Sequence, residues 1–345
     1  MNRYEHGGNP TARLDFSANI NPLGMPESVK RTLIDNIDSF CAYPDTDCRE
    51  LTAKLSVYEG VGSERIVCGN GAADLIYRIV QAAKPRHALL ISPTFSEYEK
   101  ALYEAGCGVE YHALSPENGF ALTESLLDCL TSDVDIFFLC NPNNPVGNIA
   151  DAALIKRIIE ACNDNNILFV VDECFMDFVP NGQAYSAKNY LSGRMVILRA
   201  FTKIYAMAGL RLGYALFSDA SFAQTVRKTG QCWSVSAPAQ LAGIAASDDT
   251  DYVRRTLALI TAERGYMSSA IAGMGLTVFP SETNFLLICS PLPLADSLAA
   301  HGIAVRRCEN YRGLDSRYIR VAVRTHSDNE ALVRALERII NDGKS

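Results

Sequence analysis

The sequence of 345 residues lacks any apolar run of the ~18 residues that a membrane-spanning helix needs. Its beginning, MNRYEHGGNP, also lacks the apolar core of a secretion signal. With 32 basic and 39 acidic residues the net charge is −7, which gives no general attraction to nucleic acid or to an anionic membrane. These absences predict a cytoplasmic protein in which local arginine or histidine side chains must bind any anionic ligand.

The 11 cysteines lack the spacing of a metal site or of a redox motif, because no CxxC occurs and no paired histidines accompany them. We expect buried, reduced thiols and no metal site. Cys140 and Cys174 are close to the motifs described below, but no neighbouring histidine is available as the base of a nucleophilic thiol. The sequence also contains no internal repeat, low-complexity tract or long charge block.

The sequence does contain a series of short apolar runs that alternate with helix-like segments. The runs cover residues 66–68, 88–92, 136–140, 167–171 and 195–199. Such alternation predicts a parallel sheet covered by helices. A length of 345 residues exceeds one ordinary core and predicts a second, smaller domain.

The pattern of predicted elements changes after about Ala237. A long helical stretch is followed there by the strand-like FLLIC at 285–289 and the alternating YIRVAV at 318–323. This pattern predicts a smaller α+β domain at the C-terminus. The beginning, rich in Asn, Gly and Pro, predicts an arm across the domain junction. We therefore expect three parts, an N-terminal arm that packs with the small domain (1–26), a large domain (27–236) and a small domain (237–345).

Three polar motifs follow three of the predicted strands. They are CNPNNPVG at 140–147, VDECFMDF at 171–178 and RAFTKIYAMAGLRLGY at 199–214. Because ligands of open α/β sheets bind outside the carboxyl ends of the strands, these motifs are expected to form one crevice. Lys203 in the third motif is the candidate reactive lysine, although a single lysine after a strand is more often a solvated loop charge.

Together, NPNNPVG, VDECFMDF and TKIYAMAGLRLGY resemble the motifs of fold-type I pyridoxal-phosphate (PLP) enzymes of the aminotransferase class I/II group, and the resemblance covers nearly the whole chain. HGGN at 6–9 and DFSANINPLG at 15–24 are similar to the threonine-phosphate decarboxylases of cobamide synthesis, and histidinol-phosphate aminotransferases are close relatives. The resemblance implies PLP as cofactor. It also implies an α/β large domain with a mainly parallel seven-stranded sheet covered by helices, and a smaller α+β C-terminal domain.

The resemblance further implies roles around the cofactor ring. Lys203 would form an imine with the cofactor aldehyde and then act as acid and base. Asp172 would keep the pyridine nitrogen protonated, although an aspartate at such a turn is otherwise a helix cap. Asn144 would bond the phenolic oxygen. Phe95 would stack on the ring, with Tyr98 as the alternative stacking residue.

The cofactor phosphate is expected at GNGAADLI, residues 69–76, which is not the GxGxxG fingerprint of a dinucleotide fold. Free N–H groups and the helix dipole favour a dianion at a helix N-terminus. The resemblance implies that Tyr43 reaches the phosphate of the neighbouring subunit, so that the active unit is at least a dimer, and a homodimer is expected. The expected ligands within one chain are Gly71, Ala72, Ala73, Thr202 and Arg211.

Substrate recognition is expected to fall mainly to arginines, since a guanidinium group binds carboxylate and phosphate alike. The resemblance assigns the amino-acid carboxylate to Arg320 and a substrate phosphate to Arg306. The expected substrate residues are completed by His6, Asn19 and Asn144. Solvated arginines and a structural terminal histidine are the ordinary alternatives.

One departure from the family pattern bears on the reaction. A frequent tyrosine three residues after the aspartate is Phe175 here, which favours the decarboxylases. The predicted reaction is decarboxylation of O-phospho-L-threonine to (R)-1-aminopropan-2-ol O-phosphate and CO2, in cobamide biosynthesis. Phosphoserine stays open as a substrate because one methyl group is worth only ~1–3 kcal/mol in an apolar pocket. The alternatives are a histidinol-phosphate or related aminotransferase and, less favoured, a cofactor-sensing regulator.

Overall fold

The computed structural model describes residues 6–9 and 11–342, so residues 1–5 and 10 of the predicted arm lie outside the described residues. The strands are β1 Leu14–Asp15, β2 Ile66–Asn70, β3 His87–Ser92, β4 Gly108–Ala113, β5 Ile136–Cys140, β6 Leu168–Asp172, β7 Met195–Ala200, β8 Leu212–Phe217, β9 Thr277–Val278, β10 Phe285–Cys289, β11 Ile303–Ala304, β12 Arg306–Arg307 and β13 Tyr318–Ala322. The α-helices are α1 Glu27–Asp35, α2 Arg49–Glu59, α3 Gly71–Ala83, α4 Ser96–Glu104, α5 Ala152–Asp164, α6 Gly182–Tyr185, α7 Phe201–Ile204, α8 Ala220–Lys228, α9 Ala237–Ser247, α10 Thr250–Gly273, α11 Leu294–Ala300 and α12 His326–Asp342.

A seven-stranded sheet forms the centre of the large domain, in the order β2-β8-β7-β6-β5-β3-β4. Strand β8 runs antiparallel to both of its neighbours, and the other pairs are parallel. The prediction of a mainly parallel seven-stranded sheet is therefore confirmed. The five predicted apolar runs correspond to β2, β3, β5, β6 and β7, whereas the runs did not include β4 or β8.

Both faces of this sheet are covered. In β5 and β6, Phe137 and Phe169 belong to one buried cluster, while Phe138 and Val170 belong to a second cluster on the opposite face. Successive side chains of a strand point to opposite faces, so continuous burial requires helices on both sides. This is why these strands read as uninterrupted apolar runs.

The C-terminal part contains a four-stranded antiparallel sheet, in the order β12-β13-β10-β9. The N-terminal segment is fixed to this part, because β1 pairs in parallel with β11 through Leu14 and Ile303. The next residue, Phe16, is bonded through its backbone to Ala304 and Ala322. As a result, the residues directly after Phe16 lie next to the carboxyl ends of the large-domain strands.

None of the helices within residues 6–9 and 11–342 combines the length and the apolar character that crossing a membrane requires. All eleven cysteines are free thiols. The expectation that they are buried is wrong for Cys41 and Cys232, which are exposed.

Candidate active site

A cavity of about 490 Å³ lies where the carboxyl ends of β5, β6 and β7 face the N-terminus of α3 and the small-domain strands β12 and β13. It brings together residues that are up to about three hundred positions apart in the sequence. The predicted site residues that line it are His6, Asn19, Ala72, Ala73, Phe95, Asn144, Asp172, Thr202, Lys203, Arg211, Arg306 and Arg320. The crevice inferred from the three motifs is thus present as a single cavity.

Lys203 lies in α7, the short helix that directly follows β7. Burial lowers the pKa of its amine from 10.5 to about 8, and the positive charge of Arg320 acts in the same direction. Cys174 and Asp172 oppose this shift. A much larger fraction of the amine is therefore unprotonated near neutral pH than for a lysine in water, which is the state that attacks a carbonyl group.

Asp172 is the last residue of β6 and is buried. Its Oδ2 accepts a hydrogen bond from the Tyr98 hydroxyl at 2.5 Å, and its Oδ1 accepts one from the Cys174 backbone N–H at 3.0 Å. Tyr98 is fully buried and stacks on Phe138, with 5.1 Å between the ring centroids. Phe95 lines the cavity and Tyr98 does not. The hydroxyl of Tyr98 orients the carboxylate.

The N-terminus of α3 forms a second polar wall, next to the guanidinium group of Arg211. Gly71 begins this helix with φ +77°, and a Cβ at this position would lie 2.5 Å from Arg211 Nη2. Gly71 itself does not line the cavity, but its lack of a side chain allows Arg211 to approach Ala72 and Ala73. The first N–H groups of a helix have no intrahelical partner, so this wall combines free donors with a positive charge.

Two arginines occupy the opposite end of the cavity. Arg306 in β12 is directly opposite Arg320 in the antiparallel strand β13, so both side chains are on the same face. They are only 4% and 5% exposed. Two buried like charges in this arrangement are unfavourable unless an anion accompanies them. The pair is therefore chemically suited to an anionic ligand.

Local contacts fix the orientation of Arg320. Its Nη1 donates to Asn144 Oδ1 and its Nη2 donates to the Ser17 backbone oxygen at 3.0 Å, while its buried Nε has no hydrogen-bond partner. Asn19 is also buried, and its Oδ1 has no partner either. Buried polar groups are nearly always hydrogen-bonded, so these two atoms indicate a ligand in this part of the cavity.

Glu97 and Tyr311 also line the cavity and were not anticipated from the sequence. Glu97 lies two residues after Phe95 in SPTFSEY, so its proximity to that candidate was the available signal. Tyr311 comes from a loop between β12 and β13, and the Arg306 guanidinium is 5.3 Å from its ring centroid. No periodicity or motif marks this residue.

Tyr43 lies outside the cavity of its own chain. It is 80% exposed and stacks on Trp233, with 4.5 Å between ring centroids. Cys174 lines the cavity, but burial and the charge of Asp172 hold its pKa well above the usual range, so that its thiol stays protonated. A protonated thiol is a poor nucleophile.

Comparison with known proteins agrees with this geometry. The family model for "Aminotransferase class I and II" matches residues 11–339. The chain is 39% identical to the threonine-phosphate decarboxylase of Salmonella typhimurium over 97% of this chain and 96% of that protein. It is 34% identical to the histidinol-phosphate aminotransferase of Methanosarcina mazei, over 96% and 89%.

Among solved structures, the histidinol-phosphate aminotransferase from Clostridium acetobutylicum superposes with a TM-score of 0.90 at 28% identity, covering 95% of this chain and 99% of that chain. The similarity extends over nearly the full length of the chain in both sequence and structure. The chain therefore belongs to the aminotransferase class I and II family, as a PLP-dependent enzyme of fold-type I.

Proposed function

We propose that this protein is a lyase that decarboxylates O-phospho-L-threonine to (R)-1-aminopropan-2-ol O-phosphate and CO2, as a step of cobamide biosynthesis. The observation that carries the proposal is the buried pair Arg306 and Arg320 in the cavity that contains Lys203. A substrate with both a carboxylate and a phosphate would compensate both charges. The threonine-phosphate decarboxylase activity of the Salmonella relative supports this choice.

The residues around the cavity fit PLP. A partly unprotonated lysine, an oriented buried carboxylate and a cationic wall rich in N–H donors match its aldehyde, its pyridine nitrogen and its phosphate. Bound PLP supplies an electron-withdrawing ring that stabilises the electron pair left on Cα when a bond to that carbon breaks. The residues that would hold it are Gly71, Ala72, Ala73, Phe95, Asn144, Asp172, Thr202, Lys203 and Arg211.

Arg320 is proposed to select the bond that breaks. Decarboxylation breaks the bond from Cα to the carboxylate, whereas transamination breaks the Cα–H bond, so the direction in which the carboxylate is held decides between them. Arg320 is held by Asn144 and by the Ser17 backbone oxygen, so a carboxylate bound to its outer face has a defined direction. Lys203 Nζ then donates a proton to Cα in place of the lost CO2.

Arg306 and His6 are proposed to bind the substrate phosphate, and Asn19 lies beside them in the same cavity. Phe175 also lines the cavity and packs edge-on against Phe285, with 5.1 Å between ring centroids. This position therefore offers no hydroxyl group to the cofactor's phenolic oxygen. Within the family pattern, that absence supports decarboxylation.

Purified, cofactor-loaded protein incubated with O-phospho-L-threonine, in the absence of any keto acid, tests the proposal. We expect stoichiometric CO2 and phospho-amine over many turnovers. O-phospho-L-serine serves as the matched substrate lacking one methyl group, and we expect at most a modest preference between the two. Absence of CO2 with both substrates contradicts the proposal.

The alternative is a histidinol-phosphate aminotransferase, which the relatives from Methanosarcina mazei and Clostridium acetobutylicum support. That enzyme would share the lysine, the cofactor residues and the phosphate-binding arginine. Turnover of histidinol phosphate that appears only when 2-oxoglutarate is added, without CO2 from phosphothreonine, would establish it.

The active unit is proposed to be a homodimer in which Tyr43 reaches the cavity of the partner subunit. Tyr43 and Trp233 form an exposed aromatic pair, and Ile34 and Ile37, shortly before Tyr43 in the chain, are also exposed. Exposed apolar side chains of this size are typical of a protein–protein interface. Tyr43 could then donate its hydroxyl to the partner's cofactor phosphate.

A further inference from the structure

Glu97 is a carboxylate in the cavity wall to which the proposed reaction gives no role. It lies in the first turn of α4 and is only 8% exposed. Its Oε1 is 2.8 Å from His6 Nε2, and its Oε2 accepts a hydrogen bond from the Tyr77 hydroxyl at 2.9 Å. Both carboxylate oxygens are thus engaged by other segments, one by the N-terminal arm and the other by α3.

The arm is held closely at this point. Gly7 packs so tightly that a Cβ there would lie 2.0 Å from the Ser17 backbone oxygen, and the Gly8 N–H donates to Ser17 Oγ at 2.8 Å. The Ser17 backbone oxygen also accepts the hydrogen bond from Arg320 Nη2. His6 is therefore delivered to the cavity by a backbone that also contacts the substrate arginine.

The contact with Glu97 decides which nitrogen of His6 is directed to a ligand. Since Nε2 is bonded to Glu97, Nδ1 is the nitrogen through which the ring can meet an anion. When Nε2 carries the proton that bonds Glu97, Nδ1 donates only if the ring is doubly protonated. A neutral ring would present a lone pair to the anion and repel it.

Glu97 places a carboxylate within hydrogen-bond distance of His6, in a cavity that Lys100 and Arg306 also line. The pKa of Glu97 is lowered, first by its hydrogen bond to His6, against the effect of burial and with help from Tyr77 and Lys100. An ionised carboxylate at hydrogen-bond distance stabilises an imidazolium.

We propose that Glu97 is a positioning residue that holds His6 as a protonated donor to the substrate's phosphate, with Tyr77 fixing the carboxylate. This inference rests on the proposed function in that it requires a phosphorylated substrate. In this proposal His6 of the arm, Tyr77 of α3 and Glu97 of α4 together complete the part of the cavity that binds the phosphate, beside Arg306.

A double-mutant cycle tests the proposal, using Glu97→Gln, His6→Ala and the double variant, each as the cofactor-loaded protein. For O-phospho-L-threonine we expect each single variant to raise KM about tenfold with a much smaller change in kcat, as for loss of one charge-assisted hydrogen bond. The double variant should be no worse than His6→Ala, because Glu97 acts through His6. Tyr77→Phe should act in the same direction, but more weakly.

Glu104→Gln is the matched control, since Glu104 ends the same helix and is exposed. It should leave KM unchanged. Cofactor absorption should be the same in all variants. Additive effects of the two single changes, or an unchanged KM in Glu97→Gln, would overturn the assignment.

Binding of inorganic phosphate to the loaded enzyme, measured by calorimetry, separates this inference from the proposed reaction. We expect the Kd for phosphate to rise about tenfold in Glu97→Gln and in His6→Ala, and no further in the double variant. This result would support the role of Glu97 even if phosphothreonine gave no CO2. A wild-type enzyme that binds no phosphate, or variants that bind it equally well, would overturn the role.

Discussion

Lys203 is subject to the charges of Arg320 and Asp172, and its shifted pKa determines how its reactivity depends on pH. Its pKa in the folded protein is lowered to about 8, mainly by burial, so the reactive unprotonated amine increases as pH rises through 8. Attachment of PLP to the cofactor-free protein should therefore accelerate about tenfold between pH 7 and pH 9. Stopped-flow absorption of the cofactor measures this rate. A profile that keeps rising to a midpoint near 10.5 would show that burial does not shift this lysine.

Arg320 gives a second prediction at the scale of one side chain. Arg320→Lys keeps the charge but cannot bond Asn144, the Ser17 oxygen and a carboxylate together, since a lysine lacks the planar fork. We expect kcat/KM for O-phospho-L-threonine to fall about 10²-fold or more, with kcat reduced as well as KM raised, because the contact also orients the breaking bond.

Arg307→Lys is the control for this change. Arg307 is the neighbour of Arg306 in β12, but it pairs with Asp296 outside the cavity. Its replacement should leave the kinetics within about twofold, as for a surface ion pair. Equal kinetics for Arg320→Lys and wild type would remove Arg320 from the substrate site.

At the scale of elements, the turn from β2 into α3 gives a comparison of two glycines. Gly71→Ala introduces a Cβ at φ +77°, 2.5 Å from Arg211 Nη2, and should displace Arg211 from the N-terminus of α3. Gly106→Ala has a similar φ of +73° with no atom within 4 Å, so it carries only the backbone strain of about 1 kcal/mol.

We therefore expect Gly71→Ala to weaken PLP binding by about tenfold or more, while Gly106→Ala lowers Tm slightly and leaves PLP affinity unchanged. Equilibrium titration of the cofactor-free variants with PLP measures the difference. Similar affinities in the two variants would show that the contact between Gly71 and Arg211 has no part in holding the phosphate.

The elements also show what the sequence could predict. Strands β5, β6 and β7 are buried on both faces, and for that reason their sequences are apolar runs that can be recognised. The polar motifs that follow these runs then predicted a single crevice at the carboxyl ends of the strands. Strand β4, GVEYHA, is at the edge of the sheet with no fully buried residue, and its weak pattern gave no apolar run. Strand β8 is buried, but its first three residues belong to the motif that contains Lys203, and no separate apolar run was predicted there.

Two features of the site depend on contacts that sequence patterns do not encode. The pairing of Arg306 with Arg320 follows from the register of two strands separated by an irregular loop, and no periodicity specifies that register. The bond between His6 and Glu97 joins residues 91 positions apart. Family resemblance supplied Arg306, Arg320 and His6 as single residues, while their mutual arrangement required the tertiary fold.

At the scale of the whole molecule, the cavity is closed by parts from both ends of the chain. The pairing of β1 with β11 makes the arm and the C-terminal sheet one continuous support for Ser17, Asn19 and Arg320. One wall thus comes from the large domain and the other from the arm and small domain. Tyr43 is exposed and is absent from the lining of its own cavity, so it is a predicted site residue that this single-chain arrangement does not use.

A hybrid dimer tests whether Tyr43 serves the partner subunit. Lys203→Ala subunits and Tyr43→Phe subunits are co-expressed with two different affinity tags, and the doubly tagged dimer is purified. If Tyr43 acts across the interface, both changes meet in one cavity and the other cavity is intact, so the hybrid should retain about half the wild-type activity.

If Tyr43 acts within its own chain, one cavity lacks Lys203 and the other lacks the Tyr43 hydroxyl. The activity of the hybrid, calculated per subunit that retains Lys203, would then be no higher than that of the Tyr43→Phe homodimer. The assay is run at limiting PLP, where loss of a phosphate ligand lowers occupancy most. Since a Tyr43→Phe homodimer keeps every residue of its own cavity, reduced PLP affinity in it together with half activity in the hybrid can arise only from a shared site.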